Sequence, residues 1–138
     1  MKRLFTLTVS LILSISLISQ ATAQTKDDGT LRILAIGNSF SDDGTEYLPA
    51  LLENLGVENV EVARLYVGGC TLEQHVNFYD NSEAAYKFYH SKAGENKWVE
   101  SKEKVTMQYA LAMGEWDIIT MQQASGFSGM YDSYTPYL

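Results

Sequence analysis

The sequence predicts an α/β fold with a parallel sheet, and three observations predict it. Leu31-Arg32-Ile33-Leu34-Ala35-Ile36 is a nearly continuous apolar run that stops at Gly37. Such a run suits a central strand covered by helices on both faces. A second strand pattern, Asn59 to Val67, follows one helical segment later and stops at Gly68-Gly69. Strand, helix, strand is the βαβ unit of parallel sheets. A third short apolar strand, Asp117 to Met121, runs into Gln122-Gln123 and a Gly/Ser loop.

Between the first two strands, Glu46 to Leu55 places Tyr47, Leu48, Leu51, Leu52 and Leu55 on one helical face, and Gly56 ends it. Pro49 fits this helix near its first turn and otherwise kinks it. After Gly69, Thr71 with Gln74 three residues on is a capping-box pattern, which opens a helix through Tyr79. Residues 84–101 differ. Tyr86 to His90 and Lys97-Trp98-Val99 flank Ala93-Gly94-Glu95-Asn96, the pattern of an inserted β-hairpin turning at the Gly. A helix over 82–90 is the alternative, because short aromatic runs are ambiguous. Lys104 to Ala112 reads as a helix stopping at Gly114.

Ahead of the first strand, residues 1–23 have the three parts of a secretory signal peptide. Met1-Lys2-Arg3 is positive, Leu4 to Ile18 is apolar, and Ala21-Thr22-Ala23 offers small residues for a cut after Ala23. The apolar stretch is shorter than the ~20 residues that span a bilayer. The expected location is secreted or periplasmic, with no stable membrane anchor once the leader is removed. Residues 24–30 read as a linker and 31–138 as one domain.

The 138 residues suffice for a single domain. The net charge of −7 becomes two units more negative without Lys2 and Arg3. No basic stripe offers itself to phosphates, so nucleic acid is excluded as a partner. The single cysteine, Cys70, cannot form an internal disulfide and reads as a small buried residue. No Cys/His cluster suggests zinc, and no metal or cofactor is expected. The nine tyrosines suit either a groove or a core rim. Trp98 and Trp116 suit either a sugar platform or, for Trp116, the core.

Ligands of open α/β sheets bind at the carboxyl ends of the strands. Here that edge carries Gly37-Asn38-Ser39, Gly68-Gly69 and Gln122-Gln123. A serine at a strand-to-helix turn exposes its Oγ, and the helix start aims N–H groups at developing negative charge. Ser39 or Ser41 simply capping the helix is the plainer reading of those three residues. The turn is not the Gly-x-Ser-x-Gly elbow, since Asp42-Asp43 follow Ser41. It also lacks the further glycines and the lysine of nucleotide motifs, so a flavodoxin-like phosphate site is a weak third reading.

Taken together, "ILAIGNSFSDD", "LYVGGCTLEQH" and "WDIITMQQAS" resemble the SGNH (GDSL-type) hydrolase superfamily, and more narrowly an uncharacterised SGNH-like family of secreted bacterial proteins. The resemblance spans most of residues 31–138. It implies a flavodoxin-like three-layer α/β/α fold with a parallel sheet, here incomplete, and a serine esterase acting on a small-molecule or carbohydrate ester. It implies Ser39 as nucleophile. The N–H of Gly69, or of Gly68, is then an oxyanion donor. Gln122 or Gln123 replaces the side chain of the superfamily's Asn, whose amide they share on a longer arm. Asn38, Asp42 and His75 are the candidates to contact substrate. The superfamily's Asp-x-x-His block near the C-terminus has no counterpart in this sequence. The chain therefore reads as the N-terminal part of such a domain, inactive as it stands. Neither His75 nor His90 inherits the role of base. A non-catalytic carbohydrate- or ligand-binding protein on the same fold is the alternative.

Overall fold

The computed structural model describes residues 28–95 and 100–138. The expected leader, residues 24–27 of the linker, the Asn96 end of the hairpin turn and Lys97-Trp98-Val99 lie outside them.

The fold is mixed α/β, built on one five-stranded sheet. The strands are β1 (Leu31–Gly37), β2 (Val60–Tyr66), β3 (Tyr86–Ser91), β4 (Glu100–Val105) and β5 (Ile118–Met121). Their spatial order is β4-β3-β2-β1-β5. β1 pairs in parallel with β2 on one side, Leu34 opposite Ala63, and with β5 on the other, Leu34 opposite Ile119. The expected insertion is a β-hairpin: β3 runs antiparallel to β2, and β4 antiparallel to β3. The helical alternative for 82–90 is not adopted.

Period-two alternation sends the two sides of β1 and β2 into different layers. Leu34, Ile36, Ala63 and Leu65 join Tyr86, Phe88, Val105, Met107 and Ala110 in the main core. That core lies under α3 (Leu72–Asp80) and α4 (Met107–Leu111), with Phe78, Tyr109 and Trp116 packed against it. Ile33, Val60 and Val62 face the other way, where Leu48 and Leu52 of α2 (Leu48–Asn54) cover them. The preceding helix, α1 (Ser39–Thr45), starts directly after β1 and buries none of its residues.

Two boundaries differ from expectation. The apolar segment 46–55 begins as a helix only at Leu48, with Pro49 in its first turn, because proline has no N–H to donate and suits that position. β4 continues to Val105, which the sequence pattern assigns to a helix from Lys104. Val105 lies opposite Tyr86 in the hairpin and is buried, and Thr106 then caps α4 by accepting the Tyr109 N–H at 3.1 Å. The capping box at Thr71 and Gln74 forms as read, with both reciprocal bonds present.

β5 is the edge strand beside β1. Ile118 and Ile119 point to opposite faces of the sheet and are 46% and 50% exposed, while Met121 at the end of the strand packs against the main core. No helix among those residues is long and apolar enough to cross a membrane.

Candidate functional site

The carboxyl ends of β1, β2 and β5 lie side by side, and the three loops that leave them meet at one edge. Asn38 ties two of these loops together. Its side chain is buried, 1% exposed. Its Oδ1 accepts the Phe40 N–H at 3.2 Å, which caps α1, and its Nδ2 donates to the Cys70 carbonyl at 3.1 Å. The backbone carbonyl of Asn38 accepts from Ser41 and Asp42. A substrate-contacting role for Asn38 is therefore not what its geometry offers: both ends of the amide hold the loops after β1 and β2 in register.

Ser39 is the first residue of α1 and is exposed. Its N–H is one of those that a helix start leaves without an intrahelical acceptor. Gly68 and Gly69 are exposed on the neighbouring loop, and Gly69 takes φ +65°, a conformation that favours glycine. Ser39, the Gly-Gly turn and the start of the loop after β5 thus occupy one solvent-facing edge.

The two glutamines do different work. Gln123 is buried and saturated. Its Oε1 accepts from the N–H groups of Leu72 (3.0 Å) and Ala124 (2.9 Å), and its Nε2 donates to the carbonyl of Ser133 (2.8 Å). It bridges the start of α3 to the loop after β5 across the end of β1, so its amide is already committed. Gln122 continues the β1 ladder by donating its N–H to Ile36. Its side-chain Oε1 is buried without a bonding partner. The unbonded oxygen is an acceptor, so only the Nε2 end of the Gln122 amide could donate to a ligand.

Gly37 explains how these parts fit. A Cβ there would stand 2.7 Å from Ser41 Cβ and 2.9 Å from Gln122 Oε1. Only a residue without a side chain lets α1 and the β5 loop close over the end of β1. Gly37→Ala should therefore cost about 1–3 kcal/mol through overpacking. Urea unfolding should show it as a lowered midpoint with an unchanged slope.

Asp42 does not project into solvent toward a ligand. It forms an ion pair with Arg64 of β2, which is buried beneath α1. Arg64 lies over the Tyr89 ring at 4.0 Å and near the Tyr66 ring at 5.2 Å. Arg64 is not among the candidates that the sequence motifs offer. Its signal was a charged residue in the middle of the buried strand Val-Glu-Val-Ala-Arg-Leu-Tyr, which calls for a partner.

His75 is likewise absent from the exposed edge. It is fully buried on the α3 side of the sheet. Its Nδ1 lies 2.9 Å from the Tyr86 hydroxyl and 3.5 Å from Cys70 Sγ, and its ring stacks on that of Tyr86 at 5.7 Å. Burial pushes its pKa down to about 4 and that of Cys70 up to about 12. The Tyr86 phenol is also raised, by burial first and then by Cys70. Cys70 is buried, as its lone occurrence suggested. His90, on β3, pairs with Glu61 at 2.7 Å. Both histidines are thus engaged away from Ser39. Trp116 donates its indole N–H to Ala110 and packs on the core.

Beside the glutamine bridge, a cleft of about 250 Å³ is lined by Thr71, Glu73, Gln123, Phe127, Asp132 and Tyr137, among others. Among the described residues no group of three or more His, Cys, Asp and Glu side chains converges to hold a metal ion.

Comparison with known proteins places this geometry in a family. The chain is similar to a crystal structure of a DUF4886 family protein from Bacteroides uniformis, with a TM-score of 0.70 and 42% sequence identity. The match covers 76% of this chain and 40% of that one, so the chain spans less than half of that protein's length. No curated protein matches it. The sequence profile of the domain of unknown function DUF4886 matches residues 32–138. With most of its length matched, the chain belongs to the DUF4886 family.

Proposed function

We propose that this protein is an exported SGNH-like serine hydrolase that cleaves an acyl ester, of a small molecule or a carbohydrate, through Ser39. One observation carries the reading: an exposed serine opens a helix at the carboxyl end of the central parallel strand, beside a Gly-Gly turn and a glutamine amide. Oγ of Ser39 would attack the ester carbonyl as its proton passes to a base. Negative charge on the carbonyl oxygen would meet the N–H groups of Ser39 and Gly69, or Gly68, and the Nε2–H of Gln122. Loss of the alcohol leaves an acyl-serine, which water hydrolyses. Since His75 and His90 are engaged elsewhere, the base in this reading is neither of them.

That same engagement favours a second reading, a non-catalytic carbohydrate- or ligand-binding protein that uses the edge or the adjoining cleft. A serine-reactive phosphonate separates the two. Applied to the complete gene product, it should label Ser39, and Ser39→Ala should abolish the label. Absence of label under conditions that modify a known serine esterase would overturn the hydrolase and leave the binder.

A further inference from the structure

We propose that Arg64 is the positioning residue of the nucleophile helix and acts on Ser39 through Asp42. The inference rests on the hydrolase reading for its consequence, but its geometry stands by itself. Helix α1 is seven residues long and buries none of them. A helix this short is not held by its own hydrogen bonds, and it has no apolar face to dock. What fixes it to the sheet is polar. At its start, Asn38 caps Phe40 and reaches the Cys70 carbonyl. Further along its first turn, Asp42 pairs with Arg64.

Arg64 is built to hold that second point rigid. It is 4% exposed, in the middle of β2, opposite Ala35 of β1 and Tyr89 of β3. Its guanidinium carbon lies over the Tyr89 ring at 4.0 Å and over the Tyr66 ring at 5.2 Å. A planar guanidinium held over aromatic rings has few rotamers left, so the carboxylate it binds is placed as firmly as the strand itself. Asp42 lies three residues after Ser39, close to one helical turn, so fixing it sets the direction in which Oγ points. A charge buried in a strand is a costly way merely to stabilise a fold, since apolar residues of similar volume serve that purpose as well or better.

The test uses the complete protein and reads two quantities, the rate of phosphonate labelling at Ser39 and amide exchange across α1. Asp42→Asn should slow labelling about tenfold or more. The half-saturating probe concentration should stay unchanged, and exchange should rise over 39–45 but not over 48–54. Asp42→Glu should recover part of the rate. The double variant Asp42→Leu/Arg64→Met replaces the pair by apolar groups and keeps the test usable where a single variant folds poorly. It should regain the urea midpoint of the wild type and still label slowly. A double variant that regains both stability and labelling rate would overturn the proposal, because the pair would then act through stability alone. Labelling of Asp42→Asn within twofold of wild type, with exchange in α1 unchanged, would overturn it too. If the wild type takes no label, the hydrolase reading falls, and exchange decides the anchor: protection lost in α1 alone upholds it, and uniform change across both helices refutes it.

Discussion

Asn38→Asp should destabilise the protein by about 3–5 kcal/mol at neutral pH, more than Asn38→Ala, although it is the smaller chemical change. The reason is which end of the amide does what. Oδ1 accepts the Phe40 N–H, and a carboxylate keeps that bond. Nδ2 donates to the Cys70 carbonyl, and there a carboxylate sets oxygen against oxygen at a site that is 1% exposed. Asn38→Ala leaves no charge behind. It loses the cap, worth about 1 kcal/mol, and orphans the Cys70 carbonyl for about 1–3 kcal/mol more.

The two variants also differ in their response to acid. The new carboxyl can escape its penalty by taking up a proton and donating it to the carbonyl. Its folded pKa therefore lies above the unfolded value, and the stability gap between variant and wild type should narrow as pH falls through that raised pKa. Urea midpoints of wild type and both variants at pH 8 and pH 5 test this. A gap that is constant with pH, or an Ala variant that is the less stable, would show that Asn38 does not bridge the loops as described. Because the bridge sets where α1 begins, both variants should also lose phosphonate labelling at Ser39.

What could be read from the sequence was what is decided locally. The run 31–36 needs no partner to be recognised as a buried strand, and Thr71 with Gln74 specifies its helix start within four residues. Pro49 marks the first turn of α2 because its missing N–H is harmless only there. What could not be read depends on partners far along the chain. Val105 extends β4 past the expected helix start because Tyr86 lies opposite it. His75 reads in the sequence as a candidate to contact substrate. It is buried because Tyr86, eleven positions on in β3, meets its ring on the α3 face of the sheet. At the site, the positions of Ser39 and the glycines follow from strand ends and were legible. The division of labour between Gln122 and Gln123 was not: adjacent residues of one type differ only in that Gln123 reaches Leu72 and Ser133. Asp42 likewise looks solvated until Arg64 is placed beneath it.

The buried histidine gives the second large effect. Lowering the pH from 7 to 4 should remove about 3 kcal/mol of stability through His75 alone. In the folded protein both neighbours of Nδ1, the Tyr86 hydroxyl and the Cys70 thiol, carry a hydrogen to donate. They favour a neutral ring with its proton on Nε2, where it is buried without an acceptor. Burial holds the folded pKa down at about 4. The unfolded chain titrates near 6.5, the ordinary value for histidine. Below that pH the unfolded state binds a proton that the folded state refuses, so stability falls as pH drops. The loss runs at up to about 1.4 kcal/mol per pH unit between roughly 6.5 and 4, and it levels off once the folded ring protonates as well. Cys70 and Tyr86, both raised by burial, titrate far above this window and add nothing to the slope. His75→Asn places an oxygen near the position of Nδ1, so the Tyr86 hydroxyl keeps an acceptor while the titration disappears. That variant should start less stable at pH 7, since it gives up the ring stacked on Tyr86, and should lose distinctly less than the wild type on acidification. Comparing the two slopes by urea unfolding cancels every contribution that the two proteins share. Equal slopes would mean that His75 is charged, or reached by water, in the folded protein.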